Sequence, residues 1–396
     1  MIRVRALGAR PQAHHHQQLI QALTPRLDAI GRWRWVEGDF DALLLLTGGT
    51  EVAATALLAR HPAPHLIAHQ SENALAAALE LVAWHHQRGR AVRLTTLEEG
   101  RTELLPPPPE LRAARGAELL AGVRLGVVGE PSPWLVASAP AASLLLDRWG
   151  VTVVPLPLSS LSPSAPALAP ALERATQWRH LAEAVQEPSH PAMVGAAGVS
   201  LALDALVSEH QLDAITTGCF ALVEATGHTA CLALSHALDR GVVAGCEGDL
   251  LSTLTMLWAQ RVTGQTPWMA NPQTLRGEVL ELAHCTVARS LTTSHTLRSH
   301  HETDKSAAIA GQLREGPVTL LRLGGGALDQ LRVVEGELRP QPTREGRCRT
   351  QAEVRLIGGA EALLRQPLGN HLTLIYGHWR APLLEVHREA FPTREG

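Results

Sequence analysis

Gly241-Val-Val-Ala-Gly-Cys-Glu-Gly-Asp249-Leu-Leu-Ser-Thr-Leu-Thr-Met256 joins a buried strand, an acidic turn and the start of a helix. Val242 and Val243 read as the end of the strand, and Leu250, Leu251, Leu254, Met256 and Leu257 recur with a helical period. Glu247 and Asp249 therefore fall at a strand-to-helix turn. In an open α/β sheet that turn lies at the carboxyl ends of the strands, where ligands bind. A carboxylate there can cap the helix, bind a metal or move protons. The stretch predicts the fold class before it predicts a role for either acid.

The same pattern recurs toward the N-terminus. Phe40-Asp-Ala-Leu-Leu-Leu-Leu46 is an apolar run that enters Thr47-Gly-Gly-Thr-Glu51, as a parallel strand enters a ligand-facing loop. Residues 2–7 and 64–68 read as further strands, and 16–30 and 74–87 as helices, which makes a small doubly wound unit. Pro106-Pro-Pro-Pro109 is a stiff segment that cannot join a core. Beyond it, 123–129, 151–156, 213–219 and 241–246 read as parallel strands, with a helix over 135–149. After about residue 290 the texture changes to short strands at 318–323, 330–334, 353–357 and 371–376, with Gly324-Gly-Gly326 as a hairpin turn. The expectation is an α/β protein: a parallel-sheet domain over 1–105, a Pro-rich linker over 106–120, a second such domain over 121–290, and an antiparallel β-domain over 291–396.

Composition narrows the function classes. A chain of 396 residues is long enough for two or three domains. The net charge of −3 without a basic run argues against nucleic acid as a partner. No uninterrupted apolar window is long enough to predict a membrane span, and the start lacks the features of a signal peptide. Five cysteines, odd in number and without CxxC pairing, fit a reducing cytoplasm. Gly-x-Ser-x-Gly, the phosphate loop and GxGxxG are all absent, so no nucleophile or nucleotide site is evident. Carboxylates and histidines at strand ends suit Mn²⁺, Mg²⁺ or a similar ion. His371 follows Asn370 at the head of an apolar strand, and a meeting with Asp249 has to come from the tertiary fold.

Seven motifs then fall in order along almost the whole chain: Thr47-Gly-Gly-Thr-Glu51, Asn73-Ala-Leu-Ala-Ala-Ala-Leu-Glu80, Gly129-Glu-Pro-Ser-Pro-Trp-Leu135, Cys246-Glu-Gly-Asp249, His284-Cys285, Cys348-Arg-Thr-Gln351 and Gly369-Asn-His371. Together they resemble the L-fucose isomerase and L-arabinose isomerase superfamily, in its short L-fucose isomerase-like branch. The resemblance implies two Rossmann-like doubly wound domains and a C-terminal antiparallel β-domain. It also implies a cytoplasmic trimer or hexamer that interconverts aldoses and ketoses through an enediol, with Mn²⁺ (or Mg²⁺ or Co²⁺) held by two acids and a histidine. By motif, Asp249 and His371 are the expected ligands, with Asp249 also a candidate acid/base. The family's further glutamate falls near Thr229 to Cys231, where no carboxylate stands, so Glu247 or Glu224 is the expected substitute in metal binding or catalysis. Ser132, Trp134, His284, Arg349 and Gln351 are candidate substrate contacts, Trp134 by stacking on a sugar face and Arg349 toward an anionic group. Glu80, deep in a helix, reads as structural. Two other classes stay open: a non-catalytic sugar-binding or regulatory homologue, and a metal-dependent lyase or epimerase on an acidic or sulfonated sugar.

Overall fold

The computed structural model describes residues 2–9, 13–28, 33–59, 61, 64–97, 102–105, 118–162, 167–341 and 343–391. The predicted Pro106–Pro109 linker lies outside them. The first unit runs β1 (Ile2–Leu7), α1 (Ala13–Asp28), β2 (Trp33–Trp35), β3 (Ala42–Leu45), α2 (Glu51–Leu58), β4 (His65–Ala68), α3 (Ala74–His86), β5 (Val92–Thr96) and β6 (Thr102–Leu105). Its sheet has the order β2-β1-β3-β4-β5-β6, parallel except for β6. Leu43, Leu44 and Leu45 are fully buried. Successive side chains point to opposite faces, so both faces of β3 are covered, and that is why the run has no polar alternation.

The second unit holds β7 (Arg124–Val128), α4 (Ala142–Trp149), β8 (Thr152–Leu156), α5 (Leu168–Leu181), β9 (Ala184–Val185), α6 (His190–Glu209), β10 (Ala214–Thr217), α7 (Cys219–Thr226), α8 (Cys231–Asp239), β11 (Val243–Cys246) and α9 (Leu250–Thr263). Four of these strands form a parallel sheet in the order β11-β10-β7-β8. The helix predicted from residue 135 begins only at Ala142. Pro140 biases the residue before it away from the helical region, and the segment before it is turns. α6 is long and apolar enough to cross a membrane by length and composition. It packs between α5 and α8, with 44% of its apolar window buried.

The third unit comprises β12 (Trp268–Arg276), β13 (Val279–His284), β14 (Thr292–Arg298), β15 (Ala308–Leu313), β16 (Gly316–Gly324), β17 (Gln330–Pro340), β18 (Thr350–Leu356), α10 (Ala360–Arg365), β19 (Leu372–Tyr376) and α11 (Arg380–Ala390). Six strands close an antiparallel barrel in the order β12-β13-β18-β17-β16-β19, with β19 pairing back to β12. Closure leaves no exposed sheet edge. β14 and β15 form a separate sheet with β9. The barrel thus starts at Trp268, earlier than the predicted change near 290. Asn271-Pro272-Gln273 disguises β12 as a loop, and a register shift between Pro272 and Thr274 accommodates the proline. The Gly324–Gly326 hairpin lies where expected, between β16 and β17.

Candidate metal centre and cleft

Glu247 sits at φ +62° and Gly248 at +69°, a tight left-handed turn between β11 and α9. A Cβ on Gly248 would stand 2.6 Å from Pro131 Cα, so glycine is required there both for the angle and for the space. The turn is pinned by the Ser132 N–H, which donates to the Glu247 carbonyl at 2.8 Å, and by Trp134 Nε1–H, which donates to Glu247 Oε2 at 2.6 Å. A non-glycine residue held at positive φ is strained backbone, of the kind that clusters at functional sites.

Asp249 caps α9: Oδ1 accepts the Ser252 N–H at 2.7 Å. Its other oxygen accepts from Ser252 Oγ at 2.7 Å, His371 Nδ1 at 2.8 Å and Arg322 Nη1 at 3.4 Å. Asp249 and Arg322 are both fully buried. Arg322 also binds Ser252 Oγ and Ser138 Oγ, and Ser138 in turn donates to Glu80 Oε2 at 2.9 Å. Glu80 accepts the backbone N–H groups of Ala137 and Asn370 as well. This chain of bonds ties α3, the segment before α4, α9 and the barrel together, and it bears out the structural reading of Glu80. Burial alone would raise the Asp249 carboxyl, but Arg322 and His371 outweigh it and hold it far below the usual range.

Asp249, expected as a ligand, meets His371 as expected and is also the partner of Arg322. Both of its oxygens are engaged within the protein, and like His284 and His371 it is buried and absent from the cleft lining. Among the described residues, Glu247, His284 and His371 bring donor atoms to within 4.8 Å of one another, a group that could hold a metal ion. His371 gives Nδ1 to Asp249, while Nε2 is buried with no hydrogen bond and lies 3.7 Å from Glu247 Oε1. His284 Nδ1 is held by Thr286 Oγ1 at 2.9 Å, which leaves Nε2 as the nitrogen able to coordinate. Outer partners of this kind orient metal-binding imidazoles. Burial lowers both rings; for His371 the charges of Glu247 and Asp249 overcome it and push it up to about 9, whereas His284 falls to about 4. Glu247 is raised by burial but lowered further by His371, so it stays ionised.

A cleft of about 430 Å³ opens above Glu247. The first unit contributes Thr47, Gly48, Gly49, Glu51, Glu72 and Asn73, the second Trp134 and Phe220, and the third Asn271, His301, Glu302 and Asn370. The Thr47–Glu51 loop therefore faces the cleft of its own chain. Asn370 Oδ1 is buried there without a partner.

Several expected residues lie elsewhere. Glu224 is exposed on α7 and is not in the cleft lining, because its position on the helix faces away from β11. Arg349 is buried against Ser299 and paired with Glu345, and Gln351 ties down the 344–348 loop through Arg344 and Cys348, so neither reaches the cleft. Ser132 is buried, and only its backbone serves the turn. Trp134 does line the cleft, edge-on to Phe220. His284 lies in the buried group with Glu247 and His371 and is absent from the cleft lining. Arg322 gave no signal in sequence, because an arginine in a strand ordinarily points to solvent. The five cysteines are all buried; Cys219 and Cys246 meet at 3.1 Å, and Cys231, Cys285 and Cys348 pack together, so the segment near Thr229–Cys231 supplies a thiol and no carboxylate. No family model and no curated protein matches this chain.

Proposed function

We propose that this chain is a metal-dependent aldose–ketose isomerase working through an enediol. The observation that carries the reading is the buried Glu247–His284–His371 set beneath a polar cleft, with His371 Nε2 orphaned and its ring fixed from behind by Asp249. One carboxylate oxygen and two imidazole nitrogens suit Mn²⁺ or Co²⁺ better than Mg²⁺, which prefers oxygen alone. The ion would act as a Lewis acid on substrate oxygens.

The residues divide the remaining work. Asp249 fixes the His371 tautomer, Thr286 fixes His284, and Trp134 holds Glu247 Oε2 while offering its ring to a sugar face. Asn271 and Asn370 present amides to hydroxyls. Glu247 belongs to both the cleft and the ligand set, so it is the nearest carboxylate for taking a carbon-bound proton. Glu51, Glu72, Glu247 and Glu302 line the cleft, with no Arg or Lys among its described lining residues, which favours a neutral sugar over an acidic or sulfonated one. The ordered motifs extend the proposal to two Rossmann-like domains, a trimeric or hexameric assembly and a cytoplasmic location.

The test is metal content of the purified protein together with deuterium uptake from heavy water into a panel of aldoses and ketoses. Bound metal with exchange supports an isomerase, and metal without exchange supports a lyase. The absence of both leaves a sugar-binding homologue.

A further inference from the structure

Glu51 is the first residue of α2, at the carboxyl end of β3, and lines the cleft that Glu247 also lines. It is 2% exposed, and its Oε2 has no hydrogen-bond partner. A buried carboxyl oxygen without a donor costs about 1–3 kcal/mol, and such an orphan in a folded protein calls for an explanation. The helix dipole accounts for a glutamate at the surface of a first turn. It does not account for one that is buried and half satisfied. The charged groups acting on Glu51 are other carboxylates, Glu80 on α3 and Glu247 after β11. The remaining titratable groups on the cleft wall are Glu72, His301 and Glu302. Burial and the two neighbouring carboxylates push Glu51 up to about 8, against the pull of the Thr50 and Glu51 backbone N–H groups. At neutral pH it is a carboxylic acid with a proton to give.

We propose that Glu51 is the second acid–base group of the cleft, carrying the oxygen-bound proton of the isomerisation while Glu247 carries the carbon-bound one. The inference rests on the isomerase reading above, and it supplies from the first unit the carboxyl that the Thr229–Cys231 segment lacks. Starting from an aldose, Glu247 takes the C2 proton as the C1 oxygen takes the proton of Glu51. The C2–H and Glu51 O–H bonds break, a C1–C2 double bond forms, and a neutral enediol is left beside protonated Glu247 and ionised Glu51. The C2 hydroxyl then returns its proton to Glu51 while C1 takes the proton from Glu247. The ketose forms and both carboxyls regain their starting states, with no external oxidant or reductant.

Glu51→Gln keeps the shape and hydrogen-bonding capacity of the acid but cannot pass a proton. The expected result is unchanged Mn²⁺ affinity and sugar-alcohol binding, which also report an intact fold, with deuterium exchange into substrate reduced about 10²–10⁴-fold. Glu51→Asp should recover part of that loss. Infrared difference spectra of wild type minus Glu51→Gln at pH 7 should contain a protonated-carboxyl band, a readout that needs no substrate. Exchange at the wild-type rate in Glu51→Gln, or the absence of that band, overturns the assignment of Glu51 alone. A wild type that binds Mn²⁺ yet exchanges no sugar overturns the isomerase reading, and the role of Glu51 as its proton carrier falls with it.

Discussion

The turns after β3 and after β11 are built alike, each ending an apolar parallel strand and opening a helix with an acidic residue, yet the fold treats the two acids in opposite ways. Asp249 receives a backbone N–H, a hydroxyl, an imidazole and a guanidinium. Glu51 keeps an oxygen with no partner at all. Equal burial therefore has opposite consequences: one carboxyl is driven far below its usual range and the other is pushed up to about 8. The number of donors aimed at a buried acid, and not its place on the sheet, decides whether it is an anchor or a proton reservoir.

The largest effect should come from breaking the anchor. Asp249→Asn leaves Arg322 buried without its counter-charge, and losing one partner of a buried pair costs about 3–5 kcal/mol. Urea denaturation should show that loss; a variant as stable as wild type would remove the distinction between the two turns. His371→Gln comes next, since it deletes a nitrogen from the ligand set. Mn²⁺ affinity measured by calorimetry should fall at least 10–100-fold, the loss typical of changing even an outer partner of a metal ligand.

At the other turn the sign should reverse. Glu51 has a folded-state value above its ordinary one, so relative to the unfolded chain it weakens the fold as pH rises from about 4.5 through about 8. Glu51→Gln removes that penalty and should stabilise the protein by about 1–3 kcal/mol near pH 8, the cost of the unsatisfied group. Destabilisation there, measured by thermal melts across pH, would refute the contrast. His371 gives a pH dependence of its own. Its raised value means that the protonated ring stabilises the metal-free protein fully below about pH 6.5, and that this contribution is lost as pH rises through about 9. Mn²⁺ affinity should climb over the same window, because coordination releases the proton. The smallest effect is expected for Trp134→Phe, which removes one hydrogen bond to Glu247 at a cost of about 1 kcal/mol and should weaken Mn²⁺ binding only slightly.

Much of this was legible in the sequence where one element carries the signal. The β11 turn, the buried run of β3 and the hairpin at Gly324–Gly326 follow from periodicity and turn chemistry alone, and the meeting of Asp249 with His371 was anticipated from the ordered motifs. What was not legible depends on contacts between elements far apart in the chain. Asn271-Pro272-Gln273 hid β12 because a bulge in a barrel tolerates what propensity forbids. The pairing of Asp249 with Arg322, which reaches it from β16, could not be read from the motifs. Glu224 was singled out and Glu51 was not, because burial, the property that distinguishes them, is set by the packing of other units.

The guanidinium of Arg322 has a consequence for how the protein is made. Asp249 and His371 are 122 residues apart, and Arg322 lies between them in sequence. Until β16 and β19 are in place, the β11 turn carries an acid with neither its cation nor its imidazole. A half-synthesised chain therefore cannot bring Glu247, His284 and His371 together, and on the metal-dependent reading proposed above an ion would be taken up only after the barrel has closed.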